Sequence, residues 1–266
     1  MRSLTRAATA ALCAVSALTL TACGSSTSTD STKSKPEAAA SEKPKSAEPK
    51  PAPFADMSGT RVADKSVKAT KAAKSMRLVV DVKTTDGQIK ADFFTSVDGD
   101  CTGTMSMVGE GSSELVKVGS RVYLSFDEAL LRSQSKDQSK KEADLVVKTL
   151  AGKWIESKPD DPDSKDMLGF CDLKSMLGEF KTGIGGSTRK AGETTVDGKS
   201  ALKLIDKEGA ETYTAAIATE GKPYLLMLRT TGGKEPMTMK LSDFDKPVVA
   251  KKPAAKDIVD LGNPTG

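Results

Sequence analysis

Cysteine is the residue type whose chemistry is most tightly constrained by position in this 266-residue sequence. Four are present, at positions 13, 23, 101 and 171. Cys13 and Cys23 fall in the N-terminal stretch, which leaves Cys101 and Cys171 for the body of the chain. An even pair in an exported domain reads as a disulfide. The competing chemistry is a reactive thiol at Cys171, at the start of a short helix whose positive end favours the thiolate. Histidine is absent. A Ser-His-Asp hydrolase, a His-Cys protease and a His-ligated zinc or haem site are therefore excluded. Methionine is frequent, and Met105, Met107, Met227, Met237 and Met239 all fall in strand-like segments. A flexible thioether suits a surface that fits varied apolar ligands, and it equally fills an ordinary core. A copper site built from these methionines would have no histidine to assist it. Residues 160–166 form an acidic loop that lacks the glycine and terminal glutamate of a calcium loop. Gly183-Ile184-Gly185-Gly186 has neither the strand-turn-helix context nor the lysine of a phosphate loop. No G-x-S-x-G motif and no S-x-x-K with its partner motifs occurs. No catalytic constellation, cofactor or metal site is expected, and the chain does not read as an enzyme.

The first residues assign a location. Arg2 and Arg6 precede an uncharged, apolar or small run over residues 7–20. This is the pattern of a secretory signal, over residues 1–22, and the run is shorter than the roughly 20 apolar residues that span a bilayer. Leu20-Thr21-Ala22-Cys23-Gly24 follows and resembles the lipobox of bacterial lipoproteins. In that family the cysteine carries a diacylglyceryl group and becomes the new N-terminus. The resemblance implies lipid attachment at Cys23 and a protein held on the extracytoplasmic face of the cell membrane. The alternative is an ordinary cleaved signal that ends at a cysteine.

Residues 24–53 contain no Val, Ile, Leu, Phe, Tyr or Trp. With nothing to bury, they cannot offset the entropy of ordering, and they read as a Ser/Pro/Lys/Glu-rich tether. The first 53 residues carry seven basic and four acidic side chains, so the chain's net +4 falls to about +1 on residues 54–266. That charge, with aromatics at only 4%, gives no indication of nucleic-acid binding.

Residues 54–266 read as one α+β domain. Residues 55–74 have the spacing of an amphipathic helix. The period then changes to two over residues 77–84, 88–97, 102–108, 114–118 and 121–126, with turns at Asp86-Gly87, Asp98-Gly99 and Gly119-Ser120. Residues 127–150 look helical, with Asp127 as N-cap and a polar turn or exposed helix over 134–141. Residues 152–156 are a short extended piece. Asp172 caps a short helix that carries Leu173, Met176, Leu177 and Phe180. Strands resume at 194–196, 200–205, 211–219, 222–230 and 236–241, with a turn at Asp197-Gly198 between the first two, and the proline-spaced end is expected to lie along the sheet. Hairpins in order, with helices before and midway, predict a curved antiparallel sheet, a half-barrel with helices packed on its concave face.

Several patterns together resemble the LolA-like envelope lipoproteins, in particular the LppX/LprG lipid-carrier group. They are the lipobox at Cys23, the helix before Arg77-Leu78-Val79-Val80, Gly103-Thr104, the run from Val116 to Leu124, Lys153-Trp154, and the ending from Asp243-Phe244-Asp245-Lys246-Pro247 to Leu261. The resemblance covers residues 55–261. It implies a half-open barrel closed by helices around an apolar cavity for lipid or glycolipid acyl chains. Alternation alone places Val80, Val82, Met105, Met107, Val122, Leu124, Met227, Met237 and Met239 inward. The chain departs from that group in the charged insert at 134–141 and in the Cys101/Cys171 pair. Two function classes stay open: an acyl-chain carrier, and a ligand-free envelope interaction or signalling-accessory lipoprotein whose sheet is simply packed by its helices.

Overall fold

The computed structural model describes residues 53–159, 162–179 and 187–259. Helix α1 spans Gly59–Lys71, shorter at both ends than the 55–74 read from spacing. Ser58 sets its start by accepting the Arg61 N–H at 3.3 Å. Five strands follow: β1 Ser75–Lys83, β2 Gln88–Ser96, β3 Cys101–Met107, β4 Gly111–Val118 and β5 Arg121–Phe126. Asp127 caps α2, Glu128–Gln134. The insert at 134–141 divides, because Ser139 and Glu142 form a reciprocal capping box that starts α3, Lys140–Leu150. Strand β6 is Trp154–Ser157.

The acidic run expected as a loop is helical from its proline onward, in α4, Pro162–Leu168. Proline suits the first helical position because its missing N–H would have no partner there. Asp160 and Asp161 lie outside the described residues. A 3-10 turn, Gly169–Cys171, leads to α5, Leu173–Glu179. Asp172 accepts the Ser175 N–H at 3.0 Å and so caps α5 as expected. Phe180 and the glycine run at 183–186 lie outside the described residues.

Strands β7 Arg189–Val196, β8 Lys199–Glu208, β9 Glu211–Ala218, β10 Leu225–Thr231 and β11 Met237–Ser242 complete the meander, and β12 is Ile258–Val259. Strand β7 begins five residues before the sequence reading because its polar residues hide the alternation. Its ladder also shifts register between Lys190 and Glu193. The turn at Asp197-Gly198 has positive φ at both residues, 47° and 79°, the geometry of a two-residue hairpin turn that follows the strand twist.

All twelve strands form one open, curled sheet in the order β12-β6-β5-β4-β3-β2-β1-β11-β10-β9-β8-β7. Every pair is antiparallel except the short β12–β6 contact. The class is α+β, a half-barrel with helices on its inner face. The contact that joins its two halves is β1 with β11, where Val80 lies opposite Met239 and Val82 opposite Met237.

The main core lies between the inner face and the helices. Val62 and Ala63 of α1, together with Met167, Cys171, Leu173 and Leu177 of α4 to α5, bury Leu78, Phe93, Leu115, Val122, Leu124 and Leu204. A disulfide joins Cys101 of β3 to Cys171, and Thr95 donates to the Cys171 carbonyl at 3.0 Å. Phe93 is fully buried and stacks on Phe170 at 5.1 Å between centroids. Gly103, directly opposite Phe93 in the ladder, leaves room for its ring. A smaller cluster of Val196, Ala201, Ala216, Ala218 and Leu226 occupies the other face.

The C-terminal segment crosses that outer face. Phe244 stacks on Tyr224 at 3.9 Å, Lys252 lies over the Tyr123 ring, and β12 pairs with β6. Asp245 fixes the start of this strap. Its carboxylate accepts from the Tyr224 hydroxyl at 2.7 Å, the Lys74 N–H at 2.9 Å and the Lys222 ammonium at 2.9 Å. These bonds, the tyrosine's first, lower its pKa from 3.8 to about 2. A carboxylate lowered in the folded state adds stability above its unfolded pKa and loses it as the pH falls through the folded value. Asp245→Asn is therefore expected to destabilise the fold at neutral pH. In urea unfolding, the gap from the parent should persist down to the ordinary value of 3.8 and close as the pH falls through about 2.

Candidate functional site: the open end of the inner face

Helices α1, α4 and α5 cover one end of the inner face, and α2 packs on the β4 edge of the other, more open end. Directly opposed residues of a sheet share a face. The ladders therefore place Gly111, Met107, Ile89, Val82 and Met237 in one row across β4, β3, β2, β1 and β11. The row continues through Thr230, Tyr213 and Asp206 of β10, β9 and β8. Met107, Ile89, Val82 and Met237 are all half-buried. One step inward run Phe126, Ser113, Met105, Ala91, Val80, Met239, Leu228 and Ala215. There α4 arrives, with the Ser113 hydroxyl 3.3 Å from the Met167 sulfur. Covered and open parts of the face meet along that second row.

The nine residues read from alternation divide accordingly. Val82, Met105 and Met237 are half-buried and pack against the edge of the main core, and Met107 is half-buried beside them. Val80 and Met239, each 8% exposed, sit on the boundary. Val122 and Leu124 are buried in the packed core beneath the helices and line no open space. Met227 packs against the smaller cluster on the opposite face. The alternation fails there because β10 shifts register between Leu225 and Met227. The extra residue turns Leu226 and Met227 to one side, as a bulge does. Ile89 belongs to the open row, Leu228 and Phe126 to the boundary row, and none of the three was singled out from the sequence. Ile89 was legible, since the Asp86-Gly87 hairpin puts it opposite Val82.

The apolar part of the row ends in polar groups. Asp206 is buried and accepts from the Ser187 hydroxyl and its neighbour's N–H, Lys207, at 2.9 Å. Tyr213 donates to Glu211, which raises the phenol's pKa. A cleft of about 190 Å³ at the strand ends takes in Met237 and Thr230 of the row with Asp81, Gln88 and Arg229. One of about 310 Å³ lies by the disulfide, between Val97, Leu168, Leu173, Lys117 and Lys174. Among the described residues no three Cys, Asp or Glu side chains gather as metal ligands would. No described helix is long and apolar enough to cross a membrane.

No family model and no curated protein matches the chain. Among solved structures it is similar to the lipoprotein LppX of Mycobacterium tuberculosis at 16% identity, over 73% of this chain and 98% of that one, with a TM-score of 0.47. It is similar to LprF from Mycobacterium bovis at 14% identity, over 77% and 100% of the two chains, with a TM-score of 0.49. MucB is more distant, at 13% identity over 74% and 61%, with a TM-score of 0.33.

Proposed function

We propose that the chain is a lipoprotein anchored through Cys23 on the extracytoplasmic face of a membrane, and that its half-barrel binds an acyl chain along the open row. The observation that carries the binding proposal is the partly buried apolar run of Met107, Ile89, Val82 and Met237, bordered by Met105 and Leu228, at the edge of the helix-covered core. An inner face left uncovered exposes apolar surface that water hydrates at a cost of about 25 cal/mol per Å². Methylene groups laid along it remove that cost, and methionines conform to chains of differing shape. The passage to Thr230, Tyr213 and Asp206 gives the ligand a polar end. The cleft of about 190 Å³ is smaller than the roughly 300–1,000 Å³ of sites that enclose a ligand. The chain thus lies on the face, not inside a closed chamber. No step of covalent chemistry is involved and no cofactor is needed.

The test is a solvatochromic fatty-acyl probe. The parent should bind it with a blue-shifted emission. Met237→Glu, which puts a charge in the middle of the row, should weaken binding at least tenfold while leaving the unfolding midpoint within a few degrees. Val122→Ala, in the closed core, should lower stability by about 1–3 kcal/mol without abolishing binding by the folded fraction. Failure of the parent to bind the probe favours the other reading, a ligand-free interaction module, whose supporting observation is the closed core under the helices.

Cys23 and the tether lie outside the described residues, so the anchoring proposal rests on sequence. Two acyl chains hold a protein stably where one does so only marginally. Cys23→Ala is expected to leave the chain unprocessed or shed into the medium. Mature-sized Cys23→Ala protein retained in the membrane fraction would contradict it.

A further inference from the structure

Helix α3 is the least integrated long element of the fold. It has eleven residues and none of them is buried. Ala143, Val146, Val147 and Leu150 form a half-buried stripe turned towards the body, while Leu145 is 64% exposed on the opposite side. Helical spacing sets Lys141 and Lys148 on either side of Leu145, one turn before it and one turn after it. Lys140 begins the same helix.

The charges of the α2–α3 hairpin are sorted. Glu128 and Asp144 both pair with Arg132, at 2.7 and 2.9 Å. Glu142 closes the capping box on Ser139. Asp127 receives the N–H groups of Ser112 and Leu130 at 2.9 and 2.7 Å. Of the hairpin's acids, only Asp137 is left unengaged by these contacts. Lys140, Lys141 and Lys148 make no ion pair among the described residues. The internal contacts consume the carboxylates and leave an outward face that is cationic around one protruding leucine.

The hairpin's position adds to this. Gly111 carries no side chain because the Leu130 backbone lies against it, and Lys136 reaches Glu110 at 3.9 Å. Gly111 is the end of the open row, next to Met107. The α2 end of the hairpin therefore stands beside the Gly111 end of the row, and α3 packs on α2.

We propose that α3 docks on the anionic headgroups of a phospholipid bilayer, with Leu145 inserted between them, and so sets the open end of the half-barrel against the lipid surface. A bilayer is favoured over a protein partner by charge complementarity and by the chain outside the described structure. The 30 residues between Cys23 and Phe54 reach about 100 Å when extended, enough to let either edge of the domain meet the membrane. Each lysine near such a surface changes the docked-to-free ratio roughly fivefold. The docking does not depend on acyl binding by the row, and the two are read by different probes.

The experiment reconstitutes the full acylated chain carrying Leu145→Trp into phosphatidylcholine vesicles and into otherwise identical vesicles containing phosphatidylglycerol. Emission and quenching by bromine-labelled lipid report the environment of residue 145, against the parent's own Trp154 as background. The expected result is a blue shift and quenching in the anionic vesicles alone, weakened by high salt. Adding Lys141→Gln and Lys148→Gln should lower the docked-to-free ratio roughly 25-fold. Equal signals in both vesicle types, indifference to the lysine changes, or a shift produced by a soluble polyanion without lipid quenching would each overturn the proposal. Acyl-probe binding by the same variants should be unchanged, so that failure of docking and failure of the binding site are told apart.

Discussion

Replacing both half-cystines, in Cys101→Ser with Cys171→Ser, is expected to lower the unfolding free energy by about 4 kcal/mol. The bridge closes a loop of 70 residues. In the chain-entropy account a loop of that length removes about 4 kcal/mol of freedom from the unfolded chain. The folded side adds to the loss. Both half-cystines are buried, at 0% and 3% exposure, so two hydroxyls would take the sulfurs' places in the core cluster of Leu78, Phe93 and Leu173, where unpaired polar groups are costly. The bridge also sits where α4 turns into α5, beside the Phe170–Phe93 stack and the bond from Thr95. Its loss should loosen the cap over the inner face before the sheet itself. Denaturant unfolding of oxidised and double-serine protein measures the first effect, and hydrogen exchange along residues 164–178 measures the second. Equal stability of the two proteins would show that the cap is held by packing alone.

Phe93→Ala is expected to cost about 3–5 kcal/mol. The ring is fully buried, fills the space opposite Gly103, and meets Phe170 nearly parallel, at 8° between planes. Removing it opens a cavity and also ends the aromatic pair, which is worth about 0.5–1.5 kcal/mol beyond its area. The partner position makes the converse statement. A Cβ on Gly103 would collide with the Phe93 ring and the Asp92 carbonyl. Gly103→Ala should therefore destabilise by overpacking, about 1–3 kcal/mol. In Phe93→Ala the same glycine change should cost less, since its obstacle is gone. A double-mutant cycle that returned simple additivity would contradict this packing relation.

The hairpins were legible because their turns carry strong local chemistry. Asp86-Gly87, Asp98-Gly99, Gly119-Ser120 and Asp197-Gly198 each separate paired strands in the structure. Asp127, with α2 behind it, and Asp172, with α5, were legible from capping. What failed was non-local or irregular. The meeting of β1 with β11 depends on how far the sheet curls, and no turn signal reports that. Met227 fell on the wrong face because one shifted residue in β10 inverts a period of two. The helix α4 was hidden in an acidic run whose proline looks like a breaker but starts the helix.

The candidate site was half legible for a related reason. Alternation says which face a residue takes, and it does so along β1, β3, β5 and β11. It does not say where along the strand the covering helices stop. Val82 and Val122 look alike in sequence, yet the first is only partly buried and the second is sealed beneath the helices. That limit is set by the reach of α4 and α5, which the disulfide fixes.

The most direct test of the acyl-binding proposal is native mass spectrometry of the full chain purified from its own host, with the mass of the groups covalently attached to the chain subtracted. The account predicts a remaining non-covalent adduct of lipid mass, present on the parent and lost from Met237→Glu. A parent chain that carries no adduct beyond its covalent groups, or an adduct retained undiminished by Met237→Glu, would contradict it.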